Sequence, residues 1–185
     1  MFYTKKGDSG TTKTFGCDQR ISKSSAVAEA LGALDEANSF LGLARARTEN
    51  KSFKIASGRI KFSDLILEVQ QSLFIVQAEV AGATLSIDKE KISRVEKIID
   101  EIEKTLPPIK NFFISGATKD GAVLDITRTL IRRAERRVIA AKEEGKIKMN
   151  PDTMAYINRL SSLLYALARM ASHIEGAEEL KPDYK

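Results

Sequence analysis

The sequence predicts an all-α protein: a five-helix up-and-down bundle preceded by an extended N-terminal segment. Three observations carry that expectation. Apolar residues recur at steps of three and four in five separate stretches. Mostly short connections join those stretches. Aromatic content is 6%, with only 4 prolines and 11 glycines, which disfavours sandwiches and barrels built on tight turns. The 185 residues suit one domain, divided into an N-terminal loop (1–23), a helical bundle (24–176) and a charged, frayed tail (177–185).

Residues 1–23 hold Gly7, Gly10, Gly16 and a threonine cluster, with five basic residues against two acidic ones, and read as extended or looped. Ser24 or Ser25 is expected to cap helix one, about 24–48, whose apolar stripe is Val27, Leu31, Leu34, Leu41 and Ala44. Residues 49–61 are polar and aperiodic and read as a loop. Ser63 is the expected cap of helix two, where Leu65, Val69, Leu73, Val76 and Val80 run towards a stop at Gly82. Asp88 opens helix three, striped by Ile92, Val95, Ile98, Ile102 and Leu106 and ended by Pro107-Pro108. NFFISGA, 111–117, is a short apolar connection. Helix four is expected from Lys119 to Glu144, ahead of Gly145, with Leu130, Ala134, Val138 and Ala141 turned to the core. Helix five begins with Asn150 as cap, Pro151 in the first turn and Asp152 at the positive end of the helix dipole. Its buried stripe is Met154, Ile157, Leu160, Leu164, Leu167, Ala171 and Ile174, and it ends near Gly176.

Composition excludes several chemistries. No apolar run approaches the ~18 residues a membrane span requires; the longest, Leu73 to Leu85, is broken by Gln77 and Glu79. The first residues lack the apolar core of a secretory signal. A single cysteine, Cys17, rules out an internal disulfide and suits a reducing cytoplasm. Cys17 and His173 alone cannot furnish a Cys/His zinc site, and a di-iron bundle needs two histidines. A Ser-His-Asp triad would have to use His173, which has no Gly-x-Ser-x-Gly partner. No metal site built from protein side chains is expected. The net charge of +5 is too mild to imply nucleic acid, yet favours an anionic ligand if the charge is clustered.

It is clustered on helix four. Arg128, Arg132, Glu135 and Arg136 sit at i, i+4, i+7 and i+8, spanning about 100° of the helix surface, with Arg133 and Arg137 flanking. Guanidinium forks bind phosphate oxygens bidentately. Glu135 can orient one arginine or accept from a ribose hydroxyl or base. The plainer reading is a solvated face laced with ion pairs. Helix five carries a second polar stripe, Asn158, Ser162, Tyr165 and Arg169, which alone reads as an exposed face. In YTKKGDSGTTKTFG, 3–16, glycines allow N–H groups to converge on an anion while Lys5, Lys6, Lys13 and Lys23 supply counter-charge. Neither a Walker A loop nor Gly-x-Gly-x-x-Gly is present.

Together YTKKGDSGTT (3–12), Gly32 with DEANSFLGLA (35–44), RRAER (132–136) and YINRLSSLLYALAR (156–169) resemble the PduO-type ATP:cob(I)alamin adenosyltransferases, in order and spacing, from residue 2 to about 176. The resemblance implies a ferritin-like five-helix bundle that forms homotrimers with intersubunit active sites. It implies transfer of the 5′-deoxyadenosyl group of ATP, carried with Mg²⁺, to the cobalt of cob(I)alamin, leaving triphosphate. A cobalamin reductase or an acceptor mutase is a further expected partner; nucleic acid and membrane are not. By residue, Thr4, Lys5, Lys6, Gly7, Thr12, Lys13 and Lys23 match positions that wrap the ATP phosphates. Arg132, Arg133, Glu135, Arg136 and Asn158 match the ATP-binding helix positions. Asp35 and Arg128 match a pair that bridges neighbouring subunits near the site. Phe112 matches an aromatic that closes the lower face of the corrin and keeps the cobalt ligand away; with Arg132, Asp35 and Arg128 it completes the expected catalytic set.

Six positions depart from the family pattern. Lys6 stands where threonine is frequent, Ser24-Ser25 for Asp-Asp, Ala37 for leucine, Ser115 for proline, and Ser162 for the aspartate of N-R-L-S-D. No phosphate-facing basic residue is missing. Two rival functions remain at this stage. One is a nucleotide- or nucleic-acid-binding bundle without catalysis, against which Glu135 inside the basic stripe and the lack of an interleaved aromatic platform both argue. The other is a structural bundle whose stripes are solvated faces or oligomer seams.

Overall fold

The computed structural model describes residues 3–14, 19–56 and 58–185; Gly16 and Cys17 lie outside the described residues. Thr11–Lys13 (β1) and Arg20–Ser22 (β2) pair antiparallel, with Thr12 opposite Ile21. Ser25, still in the extended conformation, caps α1, Ala26–Arg47, its hydroxyl accepting from Ala28 N–H. Ser52–Ile55 (β3) and Gly58–Lys61 (β4) form a second antiparallel hairpin, with Phe53 opposite Ile60. The remaining helices are α2, Phe62–Val80; α3, Lys89–Thr105; α4, Lys119–Glu143; and α5, Pro151–Ile174.

Two expectations require correction here. The all-α class is too strict: the protein is mostly helical, but carries two small antiparallel sheets. Residues 49–61 are not an open loop. Phe53 is buried and meets Phe62 edge-on, ring centroids 5.1 Å apart, so two aromatic rings pin the hairpin to the start of α2. That packing also moves the helix boundary. Phe62 N–H donates to Lys51 C=O, while Ser63, the expected cap, lies inside the helix with its hydroxyl on Asp64. Asp88 on Lys91 N–H and Asn150 on Asp152 N–H cap where the sequence puts them, and Thr118, for which no cap was expected, opens α4 on Gly121 N–H.

Helix α1 packs on α4 and α2, and α5 on α4 and α3. Consecutive helices run in opposite directions. Glu29 meets Arg137 while Arg47 meets Asp120, so α1 and α4 are antiparallel. Glu96 meets Arg159 and Pro107 meets Arg169, so α3 and α5 are parallel. The core is continuous through Leu34, Leu41, Phe62, Ile66, Leu73, Ile102, Leu124, Ile131, Ile157 and Leu160, all fully buried. Helix α5 is buried on most sides, including Leu163 and Leu164 together. At Gly121 the two central helices come so close that a Cβ would lie 2.6 Å from the Ser172 hydroxyl and 3.1 Å from Ala168 C=O. Any side chain there would force α4 off α5 and open the wall between them.

The tail departs from expectation too. Residues 177–180 are docked on the bundle. Ala177 N–H donates to Ser172 C=O, and Leu180 C=O accepts from Ile114 N–H at 2.8 Å, laying the tail along the connection between α3 and α4. Among the described residues no helix is long and apolar enough to cross a membrane.

Candidate functional site

A cavity of about 910 Å³ opens where the 109–117 connection, α4, α5 and the tail converge. Arg128 and Arg132 reach it from α4, Ser162, Tyr165 and Arg169 from α5, Phe112 from the connection, and Lys181, Pro182 and Tyr184 from the tail. Phe112 is 81% exposed, an aromatic ring standing in water at the rim. Its neighbour Phe113 is half-buried beneath the Arg169 guanidinium, 5.1 Å from the ring centroid. Arg128 donates to Asp125 at 2.8 Å and lies 5.9 Å from the Tyr165 ring centroid. Burial pushes the Tyr165 phenol above its ordinary pKa, so it stays neutral.

The arginine run on α4 divides into two groups. Arg133 pairs with Glu36 and Arg137 with Glu29, both on α1. Arg132 and Arg136 are exposed, with no hydrogen bond or ion pair to another described residue. Glu135 accepts from the Asn158 amide at 2.9 Å, and the Asn158 carbonyl accepts from Arg159 at 2.9 Å. Glu135 and Asn158 are thus brought together between α4 and α5. The polar stripe expected on α5 is not one exposed face: Asn158 and Ser162 are exposed, Tyr165 is half-buried and Arg169 is buried.

The N-terminal residues form a separate group. Gly10, at φ +78°, turns the chain so that Lys23 N–H donates to its carbonyl at 2.9 Å. The Lys23 ammonium passes close over Gly7: a Cβ there would lie 3.2 Å from Nζ and 3.3 Å from Thr11 C=O, so a side chain would crowd the lysine. Lys5 takes φ +58° and lies 5.9 Å from the Tyr3 ring centroid. Thr4, Lys5 and Lys6 are exposed; Thr12 and Lys13 lie on β1. Arg20 locks this segment, donating to the Thr11 hydroxyl (2.7 Å), Thr11 C=O (2.8 Å) and Lys6 C=O (2.5 Å). The sequence reading missed Arg20, because its role needs the β1–β2 register. The same reading missed Glu179 and the tail, whose only sequence signal is charge beyond Gly176.

Within one chain these groups do not all meet. The hairpin lies against the α1 N-terminus and the Arg137–Lys146 end of α4, where Ile21, Ser25, Arg137 and Lys146 border a second cavity of about 690 Å³. From Arg128 to Glu144 the helix rises roughly 24 Å at 1.5 Å per residue. Asp35 is exposed on α1, and Arg128 takes its carboxylate from Asp125, so the two are not joined in the chain.

A family model described as cobalamin adenosyltransferase matches residues 2–171. The corrinoid adenosyltransferase PduO of Citrobacter freundii is 36% identical over 178 residues, covering 92% of this chain and 50% of that protein. The corrinoid adenosyltransferase of Bacillus subtilis is 35% identical over 186 residues, covering 97% of this chain and 90% of the relative. The chain thus spans about half the length of the first relative and most of the second. Among solved structures, a variant PduO-type ATP:corrinoid adenosyltransferase from Lactobacillus reuteri, complexed with cobalamin and ATP, superposes with a TM-score of 0.86 at 27% identity over 100% of this chain and 97% of that one.

Proposed function

The chain belongs to the cobalamin adenosyltransferase family, and from that premise we propose that it transfers the 5′-deoxyadenosyl group of ATP to the cobalt of cob(I)alamin. The observation that carries the reading is the meeting of the exposed Phe112 ring with Arg128 and Arg132 around one cavity large enough for a macrocyclic ligand. The substitution is balanced without a protein nucleophile. The cobalt(I) lone pair attacks the 5′ carbon, a cobalt–carbon bond forms, and the carbon–oxygen bond breaks as triphosphate leaves with the electron pair. The protein has three tasks: aiming the carbon, stabilising charge on the leaving triphosphate, and exposing the cobalt.

In this reading Thr4, Lys5, Lys6, Gly7, Thr12, Lys13 and Lys23 enclose the phosphates. Their N-terminal segment is held in shape by Arg20 before ATP arrives. Arg132 and Arg136, free of internal partners among the described residues, serve the polyphosphate. Arg133 acts from beside them, braced on Glu36. Glu135 and Asn158, already hydrogen-bonded to each other, receive the nucleoside. Phe112 lies under the corrin, where an apolar ring excludes water and a lower ligand. In this reading Mg²⁺ travels on the ATP phosphates; among the described residues no group of three His, Cys, Asp or Glu is placed to hold a metal ion.

The same reading assigns a homotrimer with intersubunit sites. One chain separates its hairpin from its cavity along α4 and leaves Asp35 exposed, so a neighbouring copy is suited to supply the missing half, with Asp35 and Arg128 bridging. Residues 1–185 act as one catalytic domain in a reducing cytoplasm. Its protein partners are a cobalamin reductase that supplies the electron or a mutase that accepts the product. Anaerobic incubation with ATP, Mg²⁺ and chemically reduced cobalamin tests the activity. The adenosylated spectrum should appear with stoichiometric triphosphate; ATP consumption without a cobalt–carbon bond would overturn it.

A further inference from the structure

Arg169 is an unusual residue for this cavity. It is only 6% exposed, yet it is a full positive charge, and burying a charge is costly unless it is paired and hydrogen-bonded. Its contacts come from three separate parts of the chain. From α5 the guanidinium donates to both Glu179 oxygens, Nε at 3.0 Å to each and Nη2 at 2.8 Å to Oε2. Nη2 also donates to Pro107 C=O at 3.1 Å. Its face covers the Phe113 ring. Pro107 and Phe113 bracket the stretch that carries Phe112, and Leu180, next to Glu179, accepts from Ile114 N–H. One buried cation therefore fixes both sides of the Phe112 segment and ties it to the tail.

Phe112, by contrast, is almost wholly in solvent. Its own side chain has little to hold it, so the ring's place is set by its backbone neighbours. We propose that Arg169 and Glu179 are positioning residues for the corrinoid half of the reaction: they hold the Phe112 segment and the tail as one unit so that the ring is presented to the cavity. This rests on the reading of Phe112 given above. A packing role alone is poorly served by this chemistry, because an apolar side chain of similar volume fills such a site without the desolvation cost of a charge. A guanidinium fork, however, is satisfied only when the loop and the tail arrive together. None of these contacts reaches Arg132, Arg136, Glu135 or the N-terminal segment.

The test uses the full chain and four variants: Glu179→Ala, Glu179→Gln, Arg169→Lys and Phe112→Ala, with the double variant Glu179→Ala/Phe112→Ala. Kinetic constants are measured separately for ATP and for the corrinoid, supplied as chemically pre-reduced cob(I)alamin or as cob(II)alamin with a mild reductant, and melting is followed by circular dichroism. Glu179→Ala should raise the corrinoid KM about tenfold or slow the cob(II)alamin reaction by that factor, within the hundredfold that misplacement of a reacting group can cost. It should leave the ATP KM unchanged. Glu179→Gln, which keeps one acceptor for the fork, should recover part of the loss. Added to Phe112→Ala, the Glu179 change should do little more. Equal losses in the presence and absence of Phe112, or a rise in the ATP KM, would overturn the positioning role. So would a lower melting temperature with unaltered kinetic constants. Should Arg169→Lys fail to fold, the Glu179 variants decide alone. If Phe112→Ala itself shows no dependence on cobalt state, the Phe112 reading fails and this role falls with it. If Phe112→Ala shows that dependence and Glu179→Ala does not, only the positioning role is lost.

Discussion

Arg132 and Arg133 are adjacent in sequence and lie in different surroundings. On a helix, consecutive residues point 100° apart, and here that angle separates a guanidinium braced on Glu36 from one that opens into the cavity. Arg132 has no internal partner among the described residues, so removing it strands no buried carboxylate. Arg132→Ala should keep helicity and melting temperature while turnover falls by about 10²–10³, the usual loss for a preorganised donor to developing charge; near-normal turnover would reject the assignment. Phe112→Ala should separate the corrinoid role from ATP binding in a different way. The ring is exposed, so melting should hold, and ATP affinity should stay near normal. The loss should fall on cob(II)alamin, with pre-reduced cob(I)alamin restoring much of the rate. Equal slowing with both cobalt states would remove the ligand-excluding role.

At the scale of elements, the helices were legible because apolar periodicity tracks burial, although Ile174, expected in the buried stripe of α5, is exposed at the helix end. Leu65, Val69, Leu73, Val76 and Val80 were read as one stripe and are all buried. The hairpins were not legible. Strands of three and four residues are too short to show alternation, and their support is tertiary: the Phe53–Phe62 contact for one, the Arg20 clamp for the other. The docked tail was missed for a related reason. Spacing grouped Arg169 with exposed Ser162, and nothing in the sequence says that Glu179 returns to meet it. Site residues on regular helices could be placed on a face from sequence, whereas their partners on loops could not. Arg20 supplies the test. Its three hydrogen bonds are exposed, each adding on the order of 0.5 kcal/mol to the shape of the loop, so Arg20→Ala should raise the ATP KM roughly tenfold. The kcat at saturating ATP and the corrinoid KM should stay as in the parent. A change confined to the corrinoid would show that the segment does not serve the phosphates.

The whole bundle is tied at its two ends by buried carboxylates. Glu79 accepts from Asn150 N–H and the Thr153 hydroxyl, joining the end of α2 to the start of α5. At the opposite end Asp120, with a side chain 7% exposed, accepts from Arg47 at 2.8 Å and pairs with Lys51 at 2.6 Å, while Lys51 also pairs with Glu175. One carboxylate thus joins the end of α1, the start of α4 and, through Lys51, the end of α5. Burial alone would raise the Asp120 pKa; the hydrogen bonds and charges of Lys51 and Arg47 outweigh it and hold the carboxyl below its ordinary value. The folded pKa is therefore lower than the unfolded one of about 3.9. Asp120 contributes its stability above that unfolded value and loses it as pH falls through the folded one. Asp120→Asn keeps the shape and removes the charge. Arg47 opens to water, which limits the cost to about 2 kcal/mol, less than for a fully buried pair. For a domain of this size that is a fall of roughly 4–8 °C in melting temperature. Other carboxylates titrate in both proteins, so the difference between parent and variant isolates Asp120. That gap should be constant from pH 8 to pH 5 and close below about pH 4. A gap that persists undiminished at the lowest pH where both proteins still fold would show that Asp120 acts through packing and not through charge.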